Sequence, residues 1–295
     1  MGMITQFLES TLQPVVVIFT ASNLAVMGLQ ANMPEVVAAL KSKKTMALIF
    51  FSGWVLGPAL AYLITRFLPL EEPYVIGLLL YSLAPCAPFL PLMIPRARGD
   101  MSFAGALVPL VAIGTVIFMP LMAPVLIDEV SLSAGDIAKM LLVTVLLPLS
   151  IGAALRGFSE TTANRIFPAI NLIAKFSALI TIGYAVVLYW REMLETAGSF
   201  GLLSMTIFMV LIGLITYRFG FGLKQDQRSA MSLGMLTRNG SVVLLAALAI
   251  PNVDPGVVTY VIMFIVWSIV LAAIAAKIFG RLADRQNQTQ SGKLA

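Results

Sequence analysis

An apolar stretch, 229–250, holds the residues most able to bind a charged solute inside a membrane. Its middle reads Thr237-Arg238-Asn239-Gly240-Ser241. An arginine near the bilayer centre costs at least about 2.5–3.5 kcal/mol on insertion scales, so it has to face a partner or a water-filled cavity. Asn-Gly favours a turn, and a broken helix must point its freed backbone groups into protein or a cavity because lipid cannot hydrogen-bond them. We therefore predict a binding site here, with these five residues contacting the solute.

A proline-rich stretch is the second candidate for binding. Four prolines fall within eleven residues, at Pro85, Pro88, Pro91 and Pro95. Each proline in a helix interior removes an N–H and clashes with the carbonyl four residues earlier, so one regular helix cannot hold all four. We predict an unwound segment that lines a cavity, with solute contacts from Pro85, Cys86, Ala87 and Pro88.

Two further polar side chains inside apolar segments are candidate binding residues. Lys175 is the only deep ionisable residue besides Arg238, since all 14 acidic residues fall in loops, tails or segment ends. Two buried cations suit a negatively charged solute better than a cation or a proton relay. Asn23 is the second candidate. Snorkelling explains the lysine as well as binding does, and hydrogen bonding between helices explains the asparagine equally well.

Membrane-spanning helices must position these residues. The chain has 295 residues, of which 59% are hydrophobic and 11% charged, whereas soluble domains carry about 25% charged residues. A transmembrane barrel would show short alternating segments instead. We predict an all-α integral membrane protein with nine transmembrane helices, near 13–30, 45–66, 74–94, 102–127, 135–156, 167–190, 201–219, 229–250 and 256–280.

The charges of the connections predict the orientation. Fourteen of the 19 basic residues follow odd-numbered segments, up to Lys293, whereas the alternate connections are acidic or neutral and include Asp128 and Glu129. Basic connections stay in the cytoplasm. We therefore predict a plasma (bacterial inner) membrane protein with its N-terminus outside and its C-terminus in the cytoplasm. Residues 1–280 would form one transporter domain, and 281–295 a cytoplasmic tail.

The order of the segments predicts two inverted repeats. The halves 13–127 and 135–280 place the proline-rich segment and the Arg238 segment at corresponding positions. The sixth segment follows the first by five crossings, so the two repeats run in opposite directions through the membrane. Interrupted helices at matching places in inverted halves indicate a transporter's binding site. Two such helices that cross would aim their N-terminal dipoles at an anion.

Composition also bounds the class of protein. A single cysteine excludes an internal disulfide, and the chain has no histidine and no metal-ligand cluster, so we expect neither a metal nor a cofactor. The sequence has no phosphate-binding glycine loop and no nucleophile–base pair, so we expect neither ATP-driven transport nor an enzyme. The net charge of +5 is spread over the connections, which favours the lipid bilayer over nucleic acid as the partner.

The chain resembles the bile acid:sodium symporter family across nearly its full length, and two motifs carry the resemblance. They are LAPCAPFLPLMIPRARGDMSFAGALV (83–108) and QRSAMSLGMLTRNGSVVLLAALA (227–249). They are similar to the family's two broken crossing helices, and Gly99, Asp100 and Asn239 match. The resemblance implies the nine-helix form of the family fold, with a panel domain and a core domain that holds the crossing helices. It also implies alternating access for organic anions such as bile acids or smaller carboxylates.

The chain departs from the family at the positions of the sodium ligands. The residues that stand there are Leu90, Pro91, Ala104, Val108, Gly234 and Arg238. Sodium needs oxygen ligands, which these side chains do not supply. Family-style sodium coupling is therefore not expected unless main-chain carbonyls suffice, and sodium stays open as a partner. The hypothesis is that Arg238 acts as a tethered cation in place of bound sodium.

The sequence thus predicts a secondary transporter of small organic anions that works as a uniporter or an exchanger. Two alternatives stay open. Ala-Pro-Cys at Cys86 also resembles arsenite-efflux permeases of the same superfamily, in which a cysteine of this helix takes part in arsenite handling. The second half lacks the acidic residue that those proteins use. The other alternative is a membrane protein that binds a solute without transporting it.

Overall fold

A computed structural model describes residues 2–127, 133–220 and 222–291 of the chain. Within those ranges the chain is helical apart from short connections and one isolated β-bridge. In chain order the α-helices are α1 (Gly2–Leu29), α2 (Met33–Lys41), α3 (Lys43–Phe50), α4 (Gly57–Phe67), α5 (Glu72–Ser82), α6 (Leu90–Met93), α7 (Met101–Leu126), α8 (Ala134–Leu141), α9 (Leu147–Phe158), α10 (Glu160–Gly198), α11 (Phe200–Arg218), α12 (Gln225–Leu236), α13 (Gly240–Leu248) and α14 (Pro255–Ser291).

Seven helical runs in the described part of the chain are long and apolar enough to cross a membrane. They are Gln6–Leu29, Lys43–Phe67, Met101–Leu126, Ala134–Phe158, Glu160–Thr196, Phe200–Arg218 and Pro255–Gln286. Two of these runs are composite, because a π-helical turn joins α3 to α4 and another joins α8 to α9. Each π turn is followed within two residues by a proline, Pro58 or Pro148. Proline has no N–H for the regular ladder, and a π turn accommodates that loss.

The other two predicted segments, 74–94 and 229–250, are each divided into two short helices. In the first, α5 ends at Ser82 and helical structure resumes at Leu90. In the second, α12 ends at Leu236 and α13 begins at Gly240. Both predicted interruptions are therefore confirmed. The total of nine crossings and the inverted repeats stay predictions.

Helices α1, α9 and α10 pack against one another as a three-helix layer. Glycines bring the backbones of α1 and α9 into contact. A Cβ atom built on Gly152 would lie 2.5 Å from the carbonyl oxygen of Ala25 and 2.9 Å from the nitrogen of Leu29. The layer meets the rest of the molecule at α13, where the Thr20 hydroxyl donates a hydrogen bond of 3.1 Å to the carbonyl of Ser241. The remaining long helices surround the two interrupted segments.

Connections predicted to lie on the same side of the membrane meet in the structure. The amide of Asp100 donates to the carbonyl of Asp226 at 3.1 Å, which joins the connections after the third and seventh segments. The Thr196 hydroxyl lies 3.4 Å from the phenol oxygen of Tyr74, which joins two connections of the opposite side. This alternation agrees with the pattern predicted from charge, while the absolute orientation stays a prediction.

The predicted cytoplasmic tail, 281–295, continues the last helix. Helix α14 passes the expected boundary at residue 280 without a break and ends at Ser291. Lys293, which was counted with the basic connections, lies outside the described residues. Asp128 and Glu129 of the predicted acidic connection also lie outside them.

Gly152→Ala is expected to lower the thermal unfolding temperature of the detergent-purified protein. The added methyl group meets backbone atoms of α1 that cannot rotate away, and overpacking of this kind costs about 1–3 kcal/mol. Gly183→Ala is the matched control, because a Cβ atom on Gly183 of α10 meets nothing within 4 Å. Alanine is also the better helix former, so the control should unfold at the same or a higher temperature. Equal unfolding temperatures of the two variants would contradict the glycine contact.

Candidate functional site

The two interruptions meet at a short β-bridge between Pro85 and Arg238. The amide of Cys86 donates to the carbonyl of Thr237 at 2.9 Å, and the amide of Asn239 donates to the carbonyl of Ala84 at 2.8 Å. We call this contact between residues 84–86 and 237–239 the crossover. Each broken helix leaves backbone groups without helical partners, and the crossover pairs those groups with each other.

The Thr237 side chain completes the crossover. Its hydroxyl oxygen accepts a hydrogen bond of 3.3 Å from the amide of Ala87 and donates one of 2.8 Å to the carbonyl of Leu233. Cys86 takes a left-handed backbone with φ of 68°, which is uncommon for residues other than glycine. Threonine and cysteine thus act here through backbone geometry and hydrogen bonding within the protein.

Arg238 is enclosed at the crossover, with 1% of its surface exposed. Its Nη1 atom donates to the carbonyl of Ser82 at 3.0 Å, a carbonyl freed by the end of α5. Its guanidinium carbon lies 5.0 Å from the centre of the Phe208 ring. The Nε and Nη2 atoms are buried and have no hydrogen-bond partner in the described chain. The arginine is therefore a buried cation whose contacts are a dipole and a ring face, with no carboxylate among them.

Residues of the second apolar segment enclose this cation, and the sequence analysis did not identify them. A Cβ atom on Gly57 would lie 3.0 Å from the Nη2 atom of Arg238. The indole N–H of Trp54 donates to the carbonyl of Leu83 at 3.2 Å. Both residues lie at the π-helical turn before α4, or next to it. A tryptophan followed by Gly57-Pro58 inside an apolar segment was the available signal.

The start of α13 is packed too tightly for a side chain at its first residue. A Cβ atom on Gly240 would lie 2.2 Å from the Cγ1 atom of Ile265 and 2.6 Å from the hydroxyl of Tyr81. The Ser241 hydroxyl donates to the Oδ1 atom of Asn239 at 3.0 Å. The predicted residues 237–241 are thus brought together with Pro85, Cys86 and Ala87, and all of them are buried.

Four of the six positions assigned to sodium ligands lie in the hydrophobic interior. Leu90, Ala104 and Val108 are buried apolar residues. A Cβ atom on Gly234 would lie 2.6 Å from the Cδ2 atom of Leu107 and 3.6 Å from the sulfur of Cys86. No side-chain oxygen is available at any of these four positions. This packing agrees with the loss of cation ligands that the sequence indicates.

A cavity of about 780 Å³ lies between the three-helix layer and the first crossing segment. Its polar lining includes Asn32, Ser102 and Arg156, and Pro91 borders it from the crossing segment. Arg156 donates one hydrogen bond of 2.7 Å to Asn164 and another of 2.7 Å to Glu160. Sequence reasoning counted Arg156 only as a charge in a connection, because its position beside a cavity depends on how α9 packs.

Among the described residues, neither Asn23 nor Lys175 makes a hydrogen bond to the crossover. Lys175 is exposed on α10, which agrees with the snorkelling interpretation and not with a contact inside the protein. The polarity of one residue does not fix which face of a long helix packs inward. The side-chain amide of Asn23 donates to the carbonyl of Phe19 at 2.8 Å within its own helix. Pro88 is half-buried at the edge of the first crossing segment.

Comparison with known proteins identifies a family of membrane transporters. A sequence model described as the sodium bile acid symporter family matches residues 17–196. The chain is 22% identical over 229 residues to "Probable sodium/metabolite cotransporter BASS3, chloroplastic" of Arabidopsis thaliana, covering 75% of this chain and 52% of that protein. The rice protein of the same name is 21% identical over 191 residues, covering 64% and 45%.

A third relative is "Probable sodium/metabolite cotransporter BASS1, chloroplastic" of Arabidopsis thaliana. It is 24% identical over 161 residues, covering 54% of this chain and 40% of that protein. The chain spans about half the length of the curated relatives that it matches. The family match includes the first crossing segment and ends before α12 begins.

Arg238→Met is expected to keep or raise the thermal stability of the purified protein. The change removes one charge-assisted hydrogen bond, which is worth about 1.5–3 kcal/mol, and a ring contact. It also removes the cost of burying an uncompensated cation, which is several kcal/mol. Arg238→Lys keeps the charge and should be no more stable than the original protein. Thermal unfolding in detergent measures both, and a large loss of stability in Arg238→Met alone would assign a structural role to the arginine.

Proposed function

The chain belongs to the sodium bile acid symporter family, and from that premise we propose that it is a secondary membrane transporter of small organic anions that works by alternating access. Two interrupted helices that meet inside an apolar protein support this proposal, because such crossings form solute sites in transporters. The cavity beside Pro91 supports it as well. Its volume, about 780 Å³, lies within the range of roughly 300–1,000 Å³ that is usual for sites of small molecules.

The charge of the interior favours an anion. Arg238 is buried at the crossover and Arg156 borders the cavity. Glu160 also lines the cavity and pairs with Arg156. Within the cavity these two charges offset each other, and Arg238 adds a positive charge at the crossover, outside the cavity lining. Small carboxylates are therefore the proposed substrate class. The curated relatives carry "sodium/metabolite cotransporter" in their names, which agrees with a small metabolite.

Arg238 carries the mechanistic part of the proposal. Its charge would replace the sodium ion that members of the family are expected to bind. Leu90, Ala104, Val108 and Gly234, which stand at other sodium-ligand positions, have no side-chain oxygen. Two nitrogens of Arg238 are buried without hydrogen-bond partners among the described residues, and no described carboxylate forms an ion pair with it. A guanidinium that is part of the chain cannot dissociate on either side of the membrane. Transport would then follow the gradient of the anion or exchange one anion for another, without sodium.

The predicted topology indicates on which side of the membrane the cavity lies. Much of its lining comes from the connections after the first, third and fifth segments, which are the basic connections of the sequence. With those connections in the cytoplasm, the structure corresponds to an inward-open state. The plasma membrane location and this orientation are part of the proposal.

The two alternatives differ in measurable ways. Cys86 is 2% exposed and lies at the crossover next to Arg238, and in the described chain no group of three Cys, Asp or Glu side chains is arranged to hold a metal ion. Arsenite efflux would depend on its thiol, whereas organic anion transport would not. A protein that only binds its solute would show stabilisation by the anion and no flux into sealed vesicles.

Carboxylates should stabilise the purified protein equally in sodium and in potassium buffers. A ligand specific for the folded state raises stability by about 2.7 kcal/mol at a hundredfold excess over Kd. Arg238→Gln should require at least a tenfold higher carboxylate concentration for the same increase in unfolding temperature. Lys175→Gln removes the same charge from an exposed site and should change nothing. The measurement is thermal unfolding with a panel of carboxylates, followed by uptake into proteoliposomes.

Three results would overturn the proposal. They are stabilisation that requires sodium, full anion binding by Arg238→Gln, and uptake of arsenite that is lost in Cys86→Ala. The resemblance places a glutamate at position 234 and a glutamine at position 238, and the double variant Arg238→Gln/Gly234→Glu restores both. It should remain independent of sodium, because Leu90, Ala104 and Val108 still supply no oxygen ligand.

Gly105→Phe is expected to block anion binding without unfolding the protein. Gly105 lines the cavity, and a Cβ atom there would meet only the Cβ atom of Asn32, at 3.8 Å. The ring would therefore enter free volume, and the anion-dependent thermal shift should fall at least tenfold. Gly183→Phe, in open space on α10, should leave the shift intact. Normal anion binding by Gly105→Phe would place the solute elsewhere.

A further inference from the structure

The final helix carries a sharp boundary between uncharged and basic sequence. Residues 255–276 contain no charged side chain, and Lys277 is the first. A helix of this length spans about 33 Å, close to the roughly 30 Å hydrocarbon core of a bilayer. Lys277 therefore lies at the level of the lipid headgroups, and Arg281 follows one turn later on the same face.

A cleft of about 460 Å³ opens at this level between α14 and the end of the first crossing segment. Its charged lining consists of Arg96, Arg98, Lys277, Arg281 and Asp284. Backbone contact builds the cleft: a Cβ atom on Gly280 would lie 2.3 Å from the carbonyl oxygen of Arg96. The position of the cations relative to one another is thus fixed by the packing of α14 against the crossing segment.

The cleft has more positive charge than the protein neutralises. Asp284 is its one acidic residue, and it pairs with Arg98 through a contact of 3.3 Å. In the described chain, Arg96, Lys277 and Arg281 have no ion pair. Three cations that converge on one cleft are suited to the phosphate of a ligand, which accepts charge-assisted hydrogen bonds from several donors.

Apolar side chains of the same two segments remain exposed beside these cations. Leu92 is 72% exposed, Ile274 51% and Ile278 49%. A free phosphate would use only the cations, whereas a phospholipid presents a phosphate next to acyl chains. Basic pockets between membrane helices on the cytoplasmic side are suited to anionic lipid headgroups.

We propose that this cleft binds the phosphate headgroup of an anionic phospholipid, with its acyl chains along Leu92 and the exposed face of α14. The site is separate from the crossover and from the solute cavity. The lipid would bridge α14 and the first crossing segment, which are the two elements that form the cleft.

Lipid binding is measured by native mass spectrometry of the purified protein mixed with phosphatidylglycerol or with phosphatidylcholine. The protein should bind phosphatidylglycerol at least tenfold more tightly. Lys277→Gln/Arg281→Gln should reduce this binding at least fivefold, and Lys277→Arg/Arg281→Lys should retain it. Lys41→Gln/Lys43→Gln is the matched control, because it removes two exposed cations of the same predicted membrane side outside the cleft.

Several outcomes would overturn the lipid site. One is an equal loss of phosphatidylglycerol binding in the control variant, and another is equal affinity for the two lipids. A third is displacement of the lipid by millimolar inorganic phosphate, which would indicate that the cleft binds a soluble anion. Thermal unfolding in detergent without added lipid verifies that the glutamine variant is folded. If it is not, Arg96→Gln takes its place, since Arg96 is exposed in a connection, and unchanged binding by that variant would contradict the site.

Discussion

The structure depends on one constraint, which is that lipid cannot hydrogen-bond a peptide group. Prolines break one helix and Asn-Gly breaks another, and each break frees N–H and C=O groups at the same depth. The bridge between Pro85 and Arg238 pairs those groups with one another. Two carbonyls at the end of α5 that the bridge does not pair, those of Ser82 and Leu83, accept hydrogen bonds from Arg238 and Trp54. The local sequence creates the breaks, and their mutual pairing requires the two helices to cross.

Residue types in the sequence were enough to locate both breaks. A cluster of prolines and an arginine beside Asn-Gly act locally, so neighbouring residues suffice. The partner of Arg238 could not be found in this way, because Ser82 lies 156 residues away and contributes a backbone carbonyl that has no sequence signature. The exposure of Lys175 could not be predicted for a related reason. A charge inside an apolar segment indicates a special environment, while the packing of α1 and α9 decides which face of α10 is exposed.

A fixed cation differs from a bound one in what it does to the solute site. Bound sodium is present only when its concentration and its ligands allow, so it can make solute binding conditional. Arg238 is part of the chain and is always present, and Leu90, Ala104 and Gly234 carry no side-chain oxygen that could bind sodium in the proposed arrangement. Two neighbours accommodate the guanidinium: Gly57 leaves room for it, and Phe208 places a ring face against it.

The unpaired charge of Arg238 has an electrical consequence. At its predicted depth near the middle of the bilayer, this cation would lie within the electric field of the membrane, and none of the described carboxylates pairs with it. Moving one elementary charge through the full potential is worth about 2.3 kcal/mol per 100 mV. Any rearrangement that shifts the crossover along the membrane normal moves this charge through part of the field. Under the proposed mechanism, the balance between inward-open and outward-open states would then depend on voltage, even without an ion transported together with the solute.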